Sequence, residues 1–377
     1  MASTYLKRTG TTTVNTYTFS AWIKLGTLSS ANDTYQVLFS SGNQNILGLY
    51  GGSTASGHNA LYHYNNTNLW WTNNLLRDPS SWYHVVAKVS GGTVTTYING
   101  VQTSYATSTY SLGALETTTD KTCVGCYAPS ATSFFRGSMS HVHFISGTAY
   151  DPSAFGETDT TTGEWKAKTS PSVTYGADGF FILKDGNGIT DQSGEGNNFT
   201  LGGGTLIDLK DNPDNNFATL DPLNVPASNA PTFSNGNTKV VTSTGGNFGG
   251  SSNLGASSGK YYFEIKFSAG TTTYGNISLS SSSNARESAR TNQHSNQVGA
   301  AYPNLCYEYD GNVYKDSGSS QGNFGTFAVG DIIMIAMDLD NQKAYFGKNG
   351  TWGNSGVPTS GSTGTGAATL SANNDFW

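Results

Sequence analysis

VVAKVSGGTVTTYING (residues 85–100) and IAMDLDNQKAYFGKNG (residues 335–350) are equal in length and alike in plan. In each, an apolar stretch leads into a polar turn, Ser90-Gly91-Gly92 or Asp340-Asn341-Gln342, and a second stretch closes on Asn-Gly. Asn-Gly is the strongest short signal for a β-hairpin, because a type I′ turn needs φ > 0 at both central residues. Side chains alternate across a strand, so Val85, Ala87 and Val89 share one face of the first hairpin, and Ile335, Met337 and Leu339 share one face of the second. One hairpin carried twice predicts two domains of one architecture.

The rest of the chain reads the same way. YTFSAWIKL (17–25), TYQVLFSS (34–41), NILGLYG (45–51), WYHVVAKV (82–89) and SMSHVHFIS (138–146) are strand-like runs punctuated by Gly, Asn, Ser and Asp. A second group, GKYYFEIKFSA (259–269), YGNISLS (274–280), VGDIIMIAMDLD (329–340) and QKAYFGKNG (342–350), follows from about residue 235. No long apolar run has helical spacing. Many short strands predict an all-β protein of two tandem jelly-roll sandwiches. We place the first domain at 1–210, a linker rich in Pro, Asn and Asp at 211–234, and the second domain at 235–377.

Composition narrows the function. Of 377 residues only 12% are charged, about half the usual share. Nineteen Lys and Arg form no run and the net charge is −6, which argues against nucleic acid as a partner. There is no long unbroken apolar segment to insert in a membrane and no secretory leader at the start. Three cysteines, Cys123, Cys126 and Cys306, are not a disulfide framework.

Several residues are candidates for chemistry. Trp70 and Trp71, with Tyr64 and Asn65 upstream, combine stacking rings and an amide as sugar-binding sites do. The plainer reading packs one tryptophan inside, since alternation buries one and exposes the other. Trp352, after the second Asn-Gly, is a further rim candidate. Asp185, Asn187, Asp191 and Glu195 offer oxygens for Ca2+ in a Gly-rich loop, though not in EF-hand order, against the reading of a solvated connection. Cys123 and Cys126 with His141 and His143 invite a zinc reading, against a Val-Gly turn and two strand histidines. Glu308 and Asp310 lack the third carboxylate of a retaining glycosidase strand, and Asp310-Gly311 reads as a turn. No enzyme is expected.

SWYHVVAKVSGGTVTTYINGVQT (81–103), FSAWIKL (19–25) and FRGSMSHVHFI (135–145) resemble laminin-G-like, concanavalin-A-like jelly rolls. GKYYFEIKF (259–267), YEYDGNVY (307–314) and GDIIMIAMDLDNQKAYFGKNGTWG (330–353) resemble the SPRY domain. A longer resemblance, through YLKRT (5–9), HFISGTAYDPSAFGETDTTTGEWKAKTSPSVTYGADGFFILK (143–184), DQSGEGNNFT (191–200) and NNFATLDPLN (215–224), is to structural proteins of marine tailed phages of cyanobacteria and abundant marine bacteria. It implies a virion surface protein, in a fibre or on the capsid, partnered by other virion proteins and copies of itself, and adhering to a host glycan or protein. Pure capsid decoration and a divergent glycan hydrolase are the alternatives. SPRY domains finish with one more strand after the Asn-Gly region, whereas this sequence runs to NNDFW. That strand is then missing, supplied by a neighbouring chain or removed by processing, and an open sheet edge there would be a template for strand addition from another chain.

Overall fold

The computed structural model describes residues 4–29, 35–42, 45–52, 55–106, 112, 114–116, 121–184, 188–225, 231–242, 250–269, 276–280, 304–315 and 319–371. Two compact units, 1–217 and 218–377, make up the chain. Among the described residues the regular structure is antiparallel β-sheet with short 3-10 turns and no α-helix.

The first unit is a sandwich. One sheet of seven strands runs, in spatial order, Thr200–Gly203, Tyr5–Thr9, Lys121–Val124, Gln36–Ser41, Ile46–Leu49, Ala60–Tyr64 and Leu69–Leu75. The facing sheet of six runs Val101–Gln102, Thr93–Ile98, Trp82–Ser90, Tyr17–Leu25, Gly137–Ser146 and Phe180–Ile182. Phe19, Ala21, Ile23, Val85, Ala87, Val89, Val142 and Phe144 point inward from the six-stranded sheet and meet Leu38, Phe39, Leu47, Leu49, Leu61 and Trp70 from the other. Fully burying one such large apolar side chain stabilises the sandwich by about 1.5–3 kcal/mol. The Asn99-Gly100 turn has φ of 47° and 79°, both positive as a type I′ turn demands.

The strand Tyr17–Leu25 is buried at every position, so the six-stranded sheet is covered on both faces. Its outward residues are polar and histidine-rich. His84 lies opposite Trp22 in the register and stacks on it at 5.0 Å. Its Nε2 pairs with Ser20 Oγ at 2.8 Å, and its Nδ1 accepts from the Trp165 indole N–H at 3.0 Å. Trp165 comes from the segment between the strands Gly137–Ser146 and Phe180–Ile182, whose Tyr150, Phe155 and Tyr175 also close over Ile145 and Phe181. His143 bonds the Tyr175 hydroxyl at 2.9 Å and stacks on Phe181 at 3.9 Å.

Lys24 projects from the same outward face and is 3% exposed. Its ammonium pairs with Asp211 at 2.8 Å and donates to Asn216 Oδ1 at 2.8 Å. Asp211 in turn accepts from the Trp82 indole at 3.3 Å and from the Phe217 amide at 2.9 Å. The start of the Pro- and Asn-rich stretch is thus fastened to the first unit.

In the second unit, strands Ile332–Asp338 and Lys343–Lys348 form the repeated hairpin, flanked by Lys260–Lys266 on one side and by Thr351–Trp352 and Ala368–Thr369 on the other. A four-stranded sheet, Asn276–Ser280, Asn304–Glu308, Asn312–Lys315 and Ser319–Asn323, supplies the other layer. Ile333, Ile335 and Phe346 pack with Tyr307, Phe324 and Phe327. Asn349 and Gly350 have φ of 49° and 84°. The open edge expected after this hairpin is absent: Ala368–Thr369 pairs with Lys343 and Ala344, and Ala368 and Leu370 are buried in the core. Short polar residues hide that two-residue strand from sequence reading.

Two expectations follow. Asp211→Ala, which strands the Lys24 ammonium in the interior, should cost about 3–5 kcal/mol in urea unfolding, and Lys24→Met combined with Asp211→Leu distinctly less. Burial is the first cause holding His63 and His84 down to about 3 and His143 well below its ordinary value. The unfolded chain, with histidines near 6.5, then binds more protons than the folded one. Stability should therefore be full above about pH 6.5 and fall below it, by about 1.4 kcal/mol per pH unit for each histidine. Urea midpoints at about pH 7 and about pH 5 check the sign, and His63→Gln should shallow the slope.

Candidate functional site

The seven-stranded sheet has a different outward face. Strand alternation turns Leu61, His63 and Trp70 into the core and Tyr62, Tyr64 and Trp71 outward. Register then sets Tyr62 opposite Trp71 and His63 opposite Trp70. Val37, Ile46 and Tyr50 reach the same outward face from neighbouring strands, with Tyr35 and Tyr127 at its margin. The result is a sheet face tiled by aromatic rings.

The rings are in contact. Tyr50 lies 4.7 Å from Trp71, and Tyr35 lies 5.5 Å from Tyr50 and 5.0 Å from Tyr62. Gly48 makes room for them: a Cβ there would stand 2.4 Å from the Gln36 carbonyl and 2.7 Å from the Tyr62 ring. Tyr50 and Tyr62 are buried as the floor, while Tyr35, Tyr64, Trp71 and Tyr127 are half-buried around it. Burial raises the Tyr62 hydroxyl well above its ordinary value, with Tyr35 and Tyr127 adding to the effect. Tyr35 is raised for the same first reason, with Tyr50 and Tyr64 contributing. These phenols stay neutral, able both to donate and to accept hydrogen bonds. His58 bonds the Gly52 carbonyl at 2.6 Å beside Tyr50.

Such a surface suits a ligand with flat apolar faces and peripheral hydroxyls, because ring faces stack on carbon while phenols meet the hydroxyls. Trp71 and Tyr64 belong to it, as the sequence suggested. Trp70 does not: it is 0% exposed and stacked on His63 at 5.7 Å. Tyr105 and His63 share the Thr96 hydroxyl, at 2.6 and 2.8 Å, so this side of the strand ties the two sheets together. Burial pushes the Tyr105 phenol up to about 12. Asn65 is also reassigned. Its side-chain carbonyl accepts from the Asn68 and Thr67 amides at 2.7 and 3.2 Å, shaping its own turn. Trp352 stands elsewhere, in the second unit, 6.1 Å from Tyr262 and 6.5 Å from Tyr345.

Of the proposed calcium ligands, Asp185 and Asn187 lie outside the described residues. Asp191 accepts four hydrogen bonds, from the amides of Phe181, Ser193 and Asn197 and the hydroxyl of Ser193, which organise its loop, and Glu195 is exposed. Cys123 and Cys126 pack with Tyr5 and Phe134, and His141 and His143 lie in the covered face of the other sheet. Among the described residues, no three His, Cys, Asp or Glu side chains converge as a metal site. Asp310 receives the Asn312 amide at 3.0 Å within its hairpin turn, and burial, then Asp310, raises the Glu308 carboxyl.

Tyr35, Tyr50 and Tyr127 went unnamed in the sequence. TYQVLFSS and NILGLYG carry the signal, since Tyr35 and Val37 share one parity and Ile46, Gly48 and Tyr50 another. Only sheet order brings the two sets together.

The laminin G family model described as the concanavalin A-like lectin/glucanases superfamily matches residues 2–151, which include this whole face. No curated protein matches the chain. Among solved structures, a candidate carbohydrate-binding protein from Bacteroides ovatus is 17% identical over 55% of this chain and 58% of its own, with a TM-score of 0.38. Domain 4 of a GH43 extracellular arabinanase from Geobacillus stearothermophilus, in complex with arabinotriose, is 18% identical over 38% of this chain and 66% of its own, with a TM-score of 0.29. Domains LG4-5 of the mouse laminin alpha1 chain are 9% identical over 99% and 78%, with a TM-score of 0.30. The chain thus spans less than two thirds of the first two, and all three are distant likenesses.

Trp70→Ala should cost about 3–5 kcal/mol in denaturant unfolding, as removal of a core aromatic does. Trp71→Ala should cost less than half as much, because its ring keeps solvent on one side.

Proposed function

We propose that this protein is a non-enzymatic glycan-binding protein that holds sugar on the aromatic outward face of its seven-stranded sheet. The observation that carries the reading is the placement of Trp71, Tyr64, Tyr35 and Tyr127 as half-buried rings around a floor of Tyr50 and Tyr62. Those rings lie inside residues 2–151, the part matched by the concanavalin A-like lectin model. In this reading Trp71 stacks a pyranose face and the phenols of Tyr64 and Tyr35 meet its hydroxyls.

The biological setting we infer is the surface of a marine phage particle, where the chain adheres to host glycan. Supporting it are the long resemblance of residues 143–184, 191–200 and 215–224 and a surface poor in charge. The second unit, read as SPRY-like, then serves as the partner-facing half.

The test is a glycan array probed with the full chain, with binders followed by calorimetry. One glycan class should bind, and Trp71→Ala should weaken it about tenfold or more, the loss of one stacked ring. Tyr64→Ala should weaken it less. Binding that survives both substitutions unchanged would move the site off this face. Absence of any glycan ligand would leave particle decoration as the function.

A further inference from the structure

One edge strand of the second unit is open along its outer side among the described residues. Lys260–Lys266 stands at the end of its sheet, opposite the side sealed by Ala368–Thr369, and among the described residues nothing pairs with its outer edge. The Gly259 carbonyl takes the Leu339 amide, the Phe267 amide gives to Asp331 and the Phe267 carbonyl takes the Gly330 amide. Antiparallel strands alternate the direction of their backbone groups. Odd-numbered positions therefore face the neighbouring strand, and the N–H and C=O of Lys260, Tyr262, Glu264 and Lys266 point away from the sheet. Tyr261, Tyr262 and Ile265 are 46%, 54% and 37% exposed on this strand. A flat edge carrying exposed aromatics is a template for strand addition.

The charge pattern selects the occupant. We propose that the edge pairs with the same strand of a second copy, antiparallel, about a two-fold axis at Tyr262. That axis sets each Lys260 opposite the other copy's Glu264, Tyr261 opposite Phe263, and the two Tyr262 side chains against each other. Shifting the axis by one residue to Phe263 would set Lys260 against Lys266, and shifting it to Glu264 would oppose two carboxylates. Like charges directly opposite are destabilising and unlike charges stabilising. An axis at Ile265 would also set Glu264 against Lys266, but it would pair only three residues of each strand, 264–266, where the Tyr262 axis pairs five, 260–264. The Tyr262 axis also satisfies every outward backbone group of Lys260, Tyr262 and Glu264. The Tyr262 hydroxyl already holds Glu264 at 2.5 Å, fixing the carboxylate on the edge. Trp352, 6.1 Å from Tyr262, then flanks the axis on both sides. Two sheets become one continuous sheet, an isologous contact of the kind two-fold dimers use. This surface is independent of the glycan-binding face of the first unit.

Sedimentation velocity of the full chain over a concentration series tests it, with reversible dimerisation expected. Tyr262→Pro deletes the outward N–H and spares the inward bonds. Losing one bond from each copy should weaken the dimer roughly 30-fold. Glu264→Lys, which opposes two lysines, should weaken it about tenfold, and it decides the question should Tyr262→Pro unfold the unit by circular dichroism. Lys266→Glu lies outside the paired core and should change affinity by less than about threefold. A chain that stays monomeric throughout would overturn the proposal and make Lys260 and Lys266 guards against pairing. So would a dimer indifferent to Tyr262→Pro and Glu264→Lys, or one that Lys266→Glu tightens.

Discussion

Everything in the first unit depends on the double burial of the six-stranded sheet. A sheet that buries both faces must satisfy each polar group it places there. Here the outward face carries Ser20, Lys24, His84 and His143, and each of these has a partner: Lys24 has Asp211, His84 has Ser20 and Trp165, and His143 has Tyr175, while the Trp22 indole N–H on that face has none among the described residues. Trp165 and Tyr175 come from the segment between the strands Gly137–Ser146 and Phe180–Ile182, and Asp211 from the stretch beyond Thr200–Gly203. Residues 150–175 and 211–217 therefore form a third layer over this face. Removing a partner from such a layer leaves a desolvated charge or imidazole, so the cover and the sheet stand or fall together.

This cover decides where function can reside. With one sheet sealed, the aromatic surface available on the sandwich is the outward face of the other. That face obeys an opposite rule. Its groups are rings and phenols, which tolerate half-burial without a fixed partner and keep hydrogen-bonding capacity for a ligand. Tyr50 and Tyr62 fill the floor through contacts with Val37 and Ile46, and the rim rings lean on that floor. Rigid strands holding half-exposed rings lower the ordering cost of binding, because little side-chain freedom remains to be lost.

Sequence made the hairpins plain, because Asn-Gly and period-two alternation are local. Asn99-Gly100 and Asn349-Gly350 turn as read, and Val85, Ala87 and Val89 face the core as read. Alternation also required that one of Trp70 and Trp71 be inside. Which one depends on the register with Tyr62 and His63, a non-local quantity set across a bulge between Ala60 and Tyr62. The outward residues of YTFSAWIKL and WYHVVAKV look like a solvated face, since Ser, Lys and His alternate with apolar residues. Their burial follows from Trp165, Tyr175 and Asp211, which lie far along the chain. Asp191 and Asn65 were legible as oxygen donors, but their oxygens serve nearby backbone amides, as Asx side chains in turns commonly do.

The central claim is that ligand meets the first unit on the outward face of the seven-stranded sheet. Hydrogen–deuterium exchange of the full chain, with and without the tightest glycan found, tests it most directly. The account predicts protection confined to the segments around Tyr35, Ile46–Tyr50, Tyr62–Tyr64, Leu69–Trp71 and Tyr127. Protection centred instead on the second unit, or on the covered sheet between Trp82 and Ser90, would contradict it.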